Sequence, residues 1–354
     1  MSKSRRMFLI GVAASATVAA PAIAQGRVQW RMVTAWPRDL PGPGVSARRI
    51  SERVRALTAG RFEISVFAAG EIVPALGVFD AVASGVAQAG HGASFFQASK
   101  APVAQLFTTL PFGLSPVEHH SWLHFGGGQA LWDEAYAPFG VMAMEGGNTG
   151  PSMAGWFSRP IAAPEDLRGL RIRVAGLGAE MYRRLGAVPV LVAPGEIFPA
   201  LRSGVIDAVE FLGPWSDLAQ GFHQAAKHYY APGVTKPNGS SELVVSAAAF
   251  AGLAPDLQAA LRQAALAETY AGLAEAERAN ALALGLLQTQ NGVLSELMPQ
   301  PVLAAMRQAA AGLLDDLAQR DGASRRIVES YGAHLQQAQR WSRVGLGGFL
   351  AART

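Results

Sequence analysis

Cysteine is absent from the 354 residues. That excludes a disulfide framework, a thiolate nucleophile and any thiolate-ligated metal. Charge is sparse, with Asp, Glu, Lys and Arg making up 16% of the chain, whereas 50% is hydrophobic, so stability must come from burial in a large core. Several catalytic signatures are missing as well: no HExxH, no GxSxG elbow and no GxxxxGK[ST] loop occurs. His120 and His124 stand one helical turn apart, but no third acid or histidine follows at a zinc-like spacing, so the pair reads as part of a packed or surface helix. Gly176-Leu177-Gly178 invites a dinucleotide reading that Met181 breaks, since Gly or Ala belongs there. No catalytic constellation emerges, and the chain is not expected to be an enzyme.

What is present begins with an export signature. Ser4-Arg5-Arg6-Met7-Phe8-Leu9-Ile10 resembles the twin-arginine motif, and Ala22-Ile23-Ala24 is a small-residue cleavage site. The apolar run between them, Phe8 to Ala20, is shorter than the roughly 20 residues of a bilayer span. Residues 1–24 are therefore expected to be a signal peptide, the mature chain to begin near Gln25, and the protein to work in the periplasm. Lys3, Arg5 and Arg6 leave with the signal and no acid does, so 30 basic residues become 27 against 26 acidic, and the formal charge falls from +4 to +1. No basic tract remains to suggest nucleic acid or an anionic membrane surface.

Strand and helix patterns then alternate in the manner of an α/β fold. Val28 to Trp36 reads as strand, Pro43 to Ala59 as a helix with Val45, Ile50, Val54 and Leu57 on one face, and Phe62 to Phe67 as strand. A weak internal echo suggests two related lobes. Ala68 to Leu76 (AAGEIVPAL) and Ala193 to Leu201 (APGEIFPAL) agree at seven of nine positions, and AVASGVAQA from Ala81 parallels ALRSGVIDA from Ala200 once six residues are skipped. A cleft between such lobes, at the carboxyl ends of the strands, is the natural ligand site. From Ala254 the texture becomes Ala-, Leu- and Gln-rich helix, broken at Met298-Pro299-Gln300-Pro301 and resuming to near Val344, with Ile327, Val328, Tyr331, Leu335 and Trp341 forming an apolar stripe.

The most telling stretch is Arg168 to Gly186, RGLRIRVAGLGAEMYRRLG. Arg171, Ile172, Arg173 and Val174 alternate as a strand, and Gly176 and Gly178 turn the chain into a helix bearing Met181, Tyr182 and Leu185. A fixed guanidinium beside a helix N-terminus makes an anion receptor; the alternative is that both arginines line a solvated strand face. Glu210 closes the apolar run from Val205, so its carboxylate needs a buried partner: a cation, a hydrogen-bonding pocket or a structural arginine. Glu242 opens another apolar run after the loop Lys236-Pro237-Asn238-Gly239-Ser240-Ser241.

Seven fragments in order carry a family resemblance: Trp30 to Pro43, Ala69 to Pro74, Leu110 to Gly113 (LPFG), Gly126 to Glu134, Gly147 to Phe157 (GNTGPSMAGWF), Asp166 to Gly178 and Asp207 to Pro214 (DAVEFLGP). Together they resemble the DctP-type substrate-binding proteins of TRAP transporters, most nearly the branch that binds small monocarboxylates such as 2-oxo acids and lactate, often beside a metal ion. The resemblance implies a two-lobed periplasmic binding protein fold with the ligand cleft between lobes. Lobe I is expected over 27–150, with roughly 235–270 returning to it, lobe II over 151–234, and a helical region over 255–354 bracing both. It further implies that Arg173 holds the substrate carboxylate, that Asn148 is a polar contact and Phe96 an aromatic wall, with Trp36 adding first-lobe aromatic surface, and that Glu210 and Glu242 group around the metal. Ser152 stands where that branch usually has a glutamine metal ligand, Phe211 where it has tryptophan, and Gln97 where tryptophan commonly follows Phe96. A serine hydroxyl reaches less far than an amide, leaving the shell of a bound Na⁺ or Ca²⁺ short of a ligand or completed by water. Loss of the indoles enlarges the cleft or changes its polarity. The implied partners are a small carboxylate and the membrane permease subunits, with pairing of two copies through the C-terminal helices left open. Two other functions remain possible from sequence: a binding protein serving a sensor system, and an exported enzyme using Glu210 and Glu242 as acid and base.

Overall fold

Among residues 26–353, which the computed structural model describes, eleven strands form two sheets. In chain order they are β1 (Val28–Thr34), β2 (Phe62–Phe67), β3 (Ala89–Gly92), β4 (Val141–Asn148), β5 (Gly155–Phe157), β6 (Arg171–Arg173), β7 (Val188–Val190), β8 (Ala208–Val209), β9 (His228–Ala231), β10 (Ser240–Ser246) and β11 (Leu294–Leu297). The expected signal peptide, residues 1–24, lies outside the described residues.

The first sheet runs β2-β1-β3-β10-β4 and the second β7-β6-β8-β5-β9, with β11 added at the edge beside β9. In each, the first three strands are parallel and the last two antiparallel. The two sheets thus repeat one topology. Part of the internal echo follows it: the helix Val78–Ala83 and the helix Ile197–Arg202 each end at a Ser-Gly pair whose glycine is left-handed, Gly85 (φ 80°) and Gly204 (φ 72°), and each leads into the third strand of its sheet, β3 or β8. The other part does not. AAGEIVPAL ends in a 3₁₀ turn, Ala75–Gly77, whereas APGEIFPAL lies within the 3₁₀ turn Pro194–Glu196 and the helix after it. The six-residue gap is this displacement.

The chain passes between sheets three times: by short crossings from β4 to β5 and from β9 back to β10, and then by way of the long helix Pro255–Gln290 from β10 to β11. The two short crossings lie side by side: Thr149 N donates to Gly239 O at 3.1 Å, Ser152 N to Lys236 O at 3.3 Å and Gly233 N to Ser152 O at 3.0 Å. Because β4 pairs with β10 and β5 with β9, the crossings continue both antiparallel ladders as one bent two-stranded ribbon. Gly147 (φ 128°), Gly150 (φ 73°) and Gly155 (φ 130°) provide its bends.

Local structure follows the pattern of apolar residues. In β1, Trp30 and Met32 are buried while Gln29 and Arg31 face out, and Trp30 meets Phe62 of β2 edge to face at 4.8 Å. The helix Pro43–Leu57 starts on proline and buries Ala47, Ile50 and Val54 against that face, whereas Leu57 is exposed. A second core runs from the opposite face of the first sheet through the second sheet, including Phe79, Phe107, Trp132, Trp156 and Tyr182.

The C-terminal pattern resolves into the 36-residue helix Pro255–Gln290 and the helices Gln300–Ala310, Leu313–Ala318, Gly322–Val344 and Leu346–Arg353. The long helix packs on β4 and the Pro43–Leu57 helix, then on the helix Pro214–Ala219 beside the second sheet, where Trp215 N donates to Asn280 Oδ1 at 3.0 Å. Its Glu268 is fully buried and ion-paired with Arg49 at 2.7 Å and with Arg53. The expected stripe divides: Ile327, Val328 and Tyr331 are buried, but Trp341 is exposed. No described helix is long and apolar enough to cross a membrane.

The LPFG segment has a structural explanation. Phe112 takes a left-handed conformation (φ 57°), its amide donates to Val234 O at 2.7 Å on the second crossing, and Arg307 lies 4.5 Å over its ring. A Cβ on Gly113 would collide with the Tyr331 hydroxyl, which accepts a hydrogen bond from Leu114 N at 3.0 Å. Gly113→Ala is therefore expected to cost about 1–3 kcal/mol, read as a lowered midpoint in thermal unfolding; an unchanged midpoint would refute this packing account.

Candidate functional site

Strands β3, β4, β6 and β8 direct their carboxyl ends toward the ribbon, and the loops beyond them bring the lobes together. Ser216 donates to Pro41 O at 2.8 Å, and a Cβ on Gly176 (φ 65°) would lie 3.0 Å from Phe95 Cβ. Only glycine permits that approach.

Arg173 ends β6 and is 2% exposed. Its Nε donates to Val192 O at 3.2 Å, its Nη1 donates to Glu210 O at 3.0 Å, and its guanidinium carbon lies 5.3 Å from the Phe211 ring centroid. Among the described residues it makes no salt bridge, and Nη2 has no hydrogen-bond partner. Burial draws its pKa down to about 10, while the charges of Glu210 and Asp217 act the other way, so it stays protonated at neutral pH. Arg171, two residues earlier on the same strand face, is exposed and paired with Asp207 through Nε at 2.9 Å. The solvated-face alternative therefore fits Arg171 and fails for Arg173.

Beside the guanidinium stands a cation that sequence reasoning passed over. Lys236, on the second crossing, is buried; its Nζ lies 3.1 Å from Glu210 Oε1 and donates to Phe211 O. A signal existed: the chain has only four lysines, and this one lies between two apolar stretches. Asp217 completes the charged set. It accepts from Trp156 Nε1 at 3.0 Å, Tyr229 OH at 2.9 Å and Leu212 N at 3.2 Å, and burial raises its pKa to about 6 against those bonds. The hydroxyls of Tyr182 and Thr235 are buried without a hydrogen-bond partner, and burial, then the charge of Glu210, pushes the Tyr182 phenol up. A buried unpartnered hydroxyl is costly unless water or a ligand satisfies it.

The other candidates divide between this cluster and its surroundings. Phe211 is buried under both cations, and Ser152 Oγ donates to Lys236 O at 2.5 Å. Asn148 ties the ribbon together, its Nδ2 donating to Asn238 Oδ1 at 2.8 Å and its Oδ1 accepting from Gly150 N at 2.9 Å. Phe96 packs on Trp36 with ring centroids 6.0 Å apart. The indole N–H of Trp36 donates to His91 Nδ1 at 2.8 Å, and His91 Nε2 is 2.7 Å from Gly146 O, which makes His91 the neutral Nε2–H tautomer. Glu242 belongs to the first sheet, accepting from Tyr136 OH at 2.8 Å, Ser94 Oγ at 3.0 Å and Gln97 Nε2 at 3.4 Å; burial raises its pKa. No described contact links Glu210 with Glu242, the two acids the resemblance groups around a metal.

The expectation that no third acid joins His120 and His124 is corrected. Glu145, on β4, places Oε2 at 2.6 Å from His120 Nδ1 and 3.2 Å from His124 Nε2, with His119 Nδ1 3.8 Å from Oε1. Burial pushes Glu145 up, but the histidines hold it well below the usual range. The 2.6 Å contact is a hydrogen bond, whereas two ligands of one tetrahedral zinc stand about 3.3 Å apart. Glu145 is also the register partner of Glu242, so separate donor sets keep two opposed carboxylates apart in function.

Comparison with known proteins places this geometry. The DctP model, bacterial extracellular solute-binding protein family 7, matches residues 42–321. A monocarboxylate 2-oxoacid-binding periplasmic protein of Nostoc sp. is 35% identical over 319 residues, covering 90% of this chain and 86% of that protein. A TRAP transporter solute-binding protein of Bordetella bronchiseptica RB50, solved as a mixed-occupancy dimer with copurified calcium and picolinate in one active site, has TM-score 0.90 and 33% identity over 93% of this chain and 97% of its own. One of Pseudoalteromonas atlantica T6c, with sodium and pyruvate bound, has TM-score 0.88 and 33% identity over 92% and 99%.

Burial pulls the His91 pKa down to about 4, against the hydrogen bond to Gly146. An unfolded histidine takes its proton near pH 6.5, so the stability due to neutral His91 is present above that pH and is lost as pH falls toward 4, on the order of 3 kcal/mol in all. NMR is expected to show His91 still neutral, and the Trp36 indole proton unshifted, at pH 5.5; titration of His91 near pH 6.5 would contradict the assignment.

Proposed function

This chain belongs to the DctP family of bacterial extracellular solute-binding proteins, and we propose that it captures a small organic monocarboxylate, a 2-oxo or 2-hydroxy acid, for a TRAP transporter. The observation that carries the reading is Arg173: a buried guanidinium at the carboxyl end of β6, held by two main-chain carbonyls, with one nitrogen unbonded and no carboxylate of its own. A monocarboxylate supplies the missing charge and a directed acceptor. Lobe II (151–234) contributes Arg173, Ser152 and the Phe211 ring, while lobe I (27–150, with 235–270) contributes Asn148 and the aromatic wall of Phe96 and Trp36. Closure about the ribbon lets both lobes share one ligand, so binding energy biases the hinge toward the closed form, which docks on the membrane permease. Helices within 255–354 brace both lobes.

The separate donor sets of Glu210 and Glu242 favour a receptor over an acid–base enzyme, which needs both carboxyls at one reacting bond. Delivery to a permease is preferred to a sensor role because the solved relatives are TRAP proteins. Residues 1–24 serve in this reading as the twin-arginine signal that takes the protein to the periplasm. Two copies pair through the C-terminal helices, where Trp341, Val344, Leu346 and Phe349 are all more than half exposed.

Calorimetry with pyruvate and other short 2-oxo and 2-hydroxy acids tests the clamp. Arg173→Ala is expected to weaken binding about hundredfold or more, and Arg173→Lys to weaken it as well, because a point charge cannot reproduce the planar fork. Affinity within a few-fold of wild type in Arg173→Ala would overturn the assignment. Light scattering on the eluted protein is expected to give twice the chain mass, falling to one in a Trp341→Glu, Phe349→Glu variant; a monomeric wild type would refute the pairing.

A further inference from the structure

Some solved relatives hold a metal ion together with a small carboxylate, calcium with picolinate in one and sodium with pyruvate in another. In this chain a second cation, Lys236, stands with the Arg173 guanidinium over the Phe211 ring. The Lys236 ammonium lies 3.1 Å from Glu210 Oε1 and donates to the main-chain carbonyl of Phe211, next to the ring over which Arg173 is placed. Those two oxygens are hard-cation ligands by type, and an ion such as Ca²⁺ needs about six to eight of them at close range. Here both already face an ammonium, which would repel a metal bound to the same atoms. The Ser152 hydroxyl proton is committed to Lys236 O, leaving no long amide side chain at that position to extend an oxygen shell. An ammonium has three N–H donors. One is donated to Phe211 O, and with Glu210 Oε1 held at 3.1 Å as an ion pair the ammonium keeps donor capacity for a ligand oxygen.

Resting on the carboxylate-capture reading above, we propose that Lys236 is this protein's own cation: its ammonium takes the place of the metal ion, bridging Glu210, the Phe211 carbonyl and the bound acid, so that capture is independent of metal. The charged groups facing it are Glu210 and Asp217, which favour its protonated form, and Arg173, which opposes it; burial opposes it most. Because Lys236 sits on the crossing segment, hydrogen-bonded through its carbonyl to Ser152 on the other crossing, the charge is fixed to the ribbon about which the lobes close.

The test uses the mature protein freed of copurified ligand, with calcium and pyruvate as probes in calorimetry. Wild type is expected to take up no calcium and to bind pyruvate with the same affinity, within twofold, in EDTA and in calcium. Lys236→Met, which keeps the length and loses the charge, is expected to lose pyruvate affinity at least tenfold, with no rescue by calcium or sodium. Lys236→Glu, which places a second carboxylate beside Glu210 and the Phe211 carbonyl, is expected to gain calcium binding. Calcium uptake by wild type, chelator-sensitive pyruvate binding, or wild-type affinity in a folded Lys236→Met would each overturn the proposal. If no short 2-oxo or 2-hydroxy acid bound wild type, the capture reading would fail by itself, and calcium uptake by Lys236→Glu but not by wild type would still decide what Lys236 replaces.

Discussion

A guanidinium at 2% exposure without a carboxylate partner is the constraint around which this molecule is arranged. Removing such a charge from water is expensive, and two main-chain carbonyls recover only part of the cost. Both carbonyls depend on the fold: one belongs to Val192, just after the neighbouring strand β7, and the other to Glu210, just after β8. The side chain is therefore oriented by the carboxyl ends of three parallel strands before any ligand arrives. Its remaining nitrogen, together with the Lys236 ammonium and the unpartnered Tyr182 and Thr235 hydroxyls, describes a site whose polar groups call for an anion with more than one acceptor.

The duplicated sheet order sets the frame in which the proposed closure would work. Each sheet presents the carboxyl ends of its parallel strands to the same gap, and each takes its fourth strand, β10 or β5, directly from a crossing. The two short crossings are hydrogen-bonded to one another, so the connection between the sheets is a bent ladder with glycines at its bends, not a pair of loose linkers. Asn148 fastens that ladder through Asn238, which in turn donates to Thr108 O at 2.8 Å in the first lobe. Lys236 and Ser152 lie on the same ladder. In the proposed capture, a ligand engaging Arg173 and Lys236 would touch the second sheet and this ladder together, a direct route from binding to closure.

Much of this was legible in the sequence where the signal is local. Arg173 stood out because alternation in RIRV followed by GLG marks a strand end before a helix, and the structure has both, β6 and the helix Leu177–Arg184. β2 matched its expected limits because FEISVF alternates cleanly. Lys236 was missed because its partner Glu210 is distant in sequence and no periodicity marks a residue on a crossing. Helical spacing places Tyr182 with Met181 and Leu185, and both Tyr182 and Met181 are buried; only tertiary placement reveals that the Tyr182 hydroxyl lacks a partner. Glu145 escaped notice since its histidines come from the helix Pro116–Phe125 and packing alone joins them. β11 was hidden because LSEL, four residues between helices, is paired only through its backbone to β9. The departures at Ser152 and Phe211 are visible in the sequence, but that both contact Lys236 is visible only in the fold.

The most direct measurement of the central claim is a crystal structure of the protein with a short 2-oxo acid bound. The account predicts the carboxylate of that acid within about 3 Å of the Arg173 guanidinium, with a ligand oxygen on Lys236 Nζ and no metal ion between Glu210 and the Phe211 carbonyl. Ligand density outside the gap between the sheets, or an Arg173 side chain that bonds only to protein while the acid is held elsewhere, would contradict it.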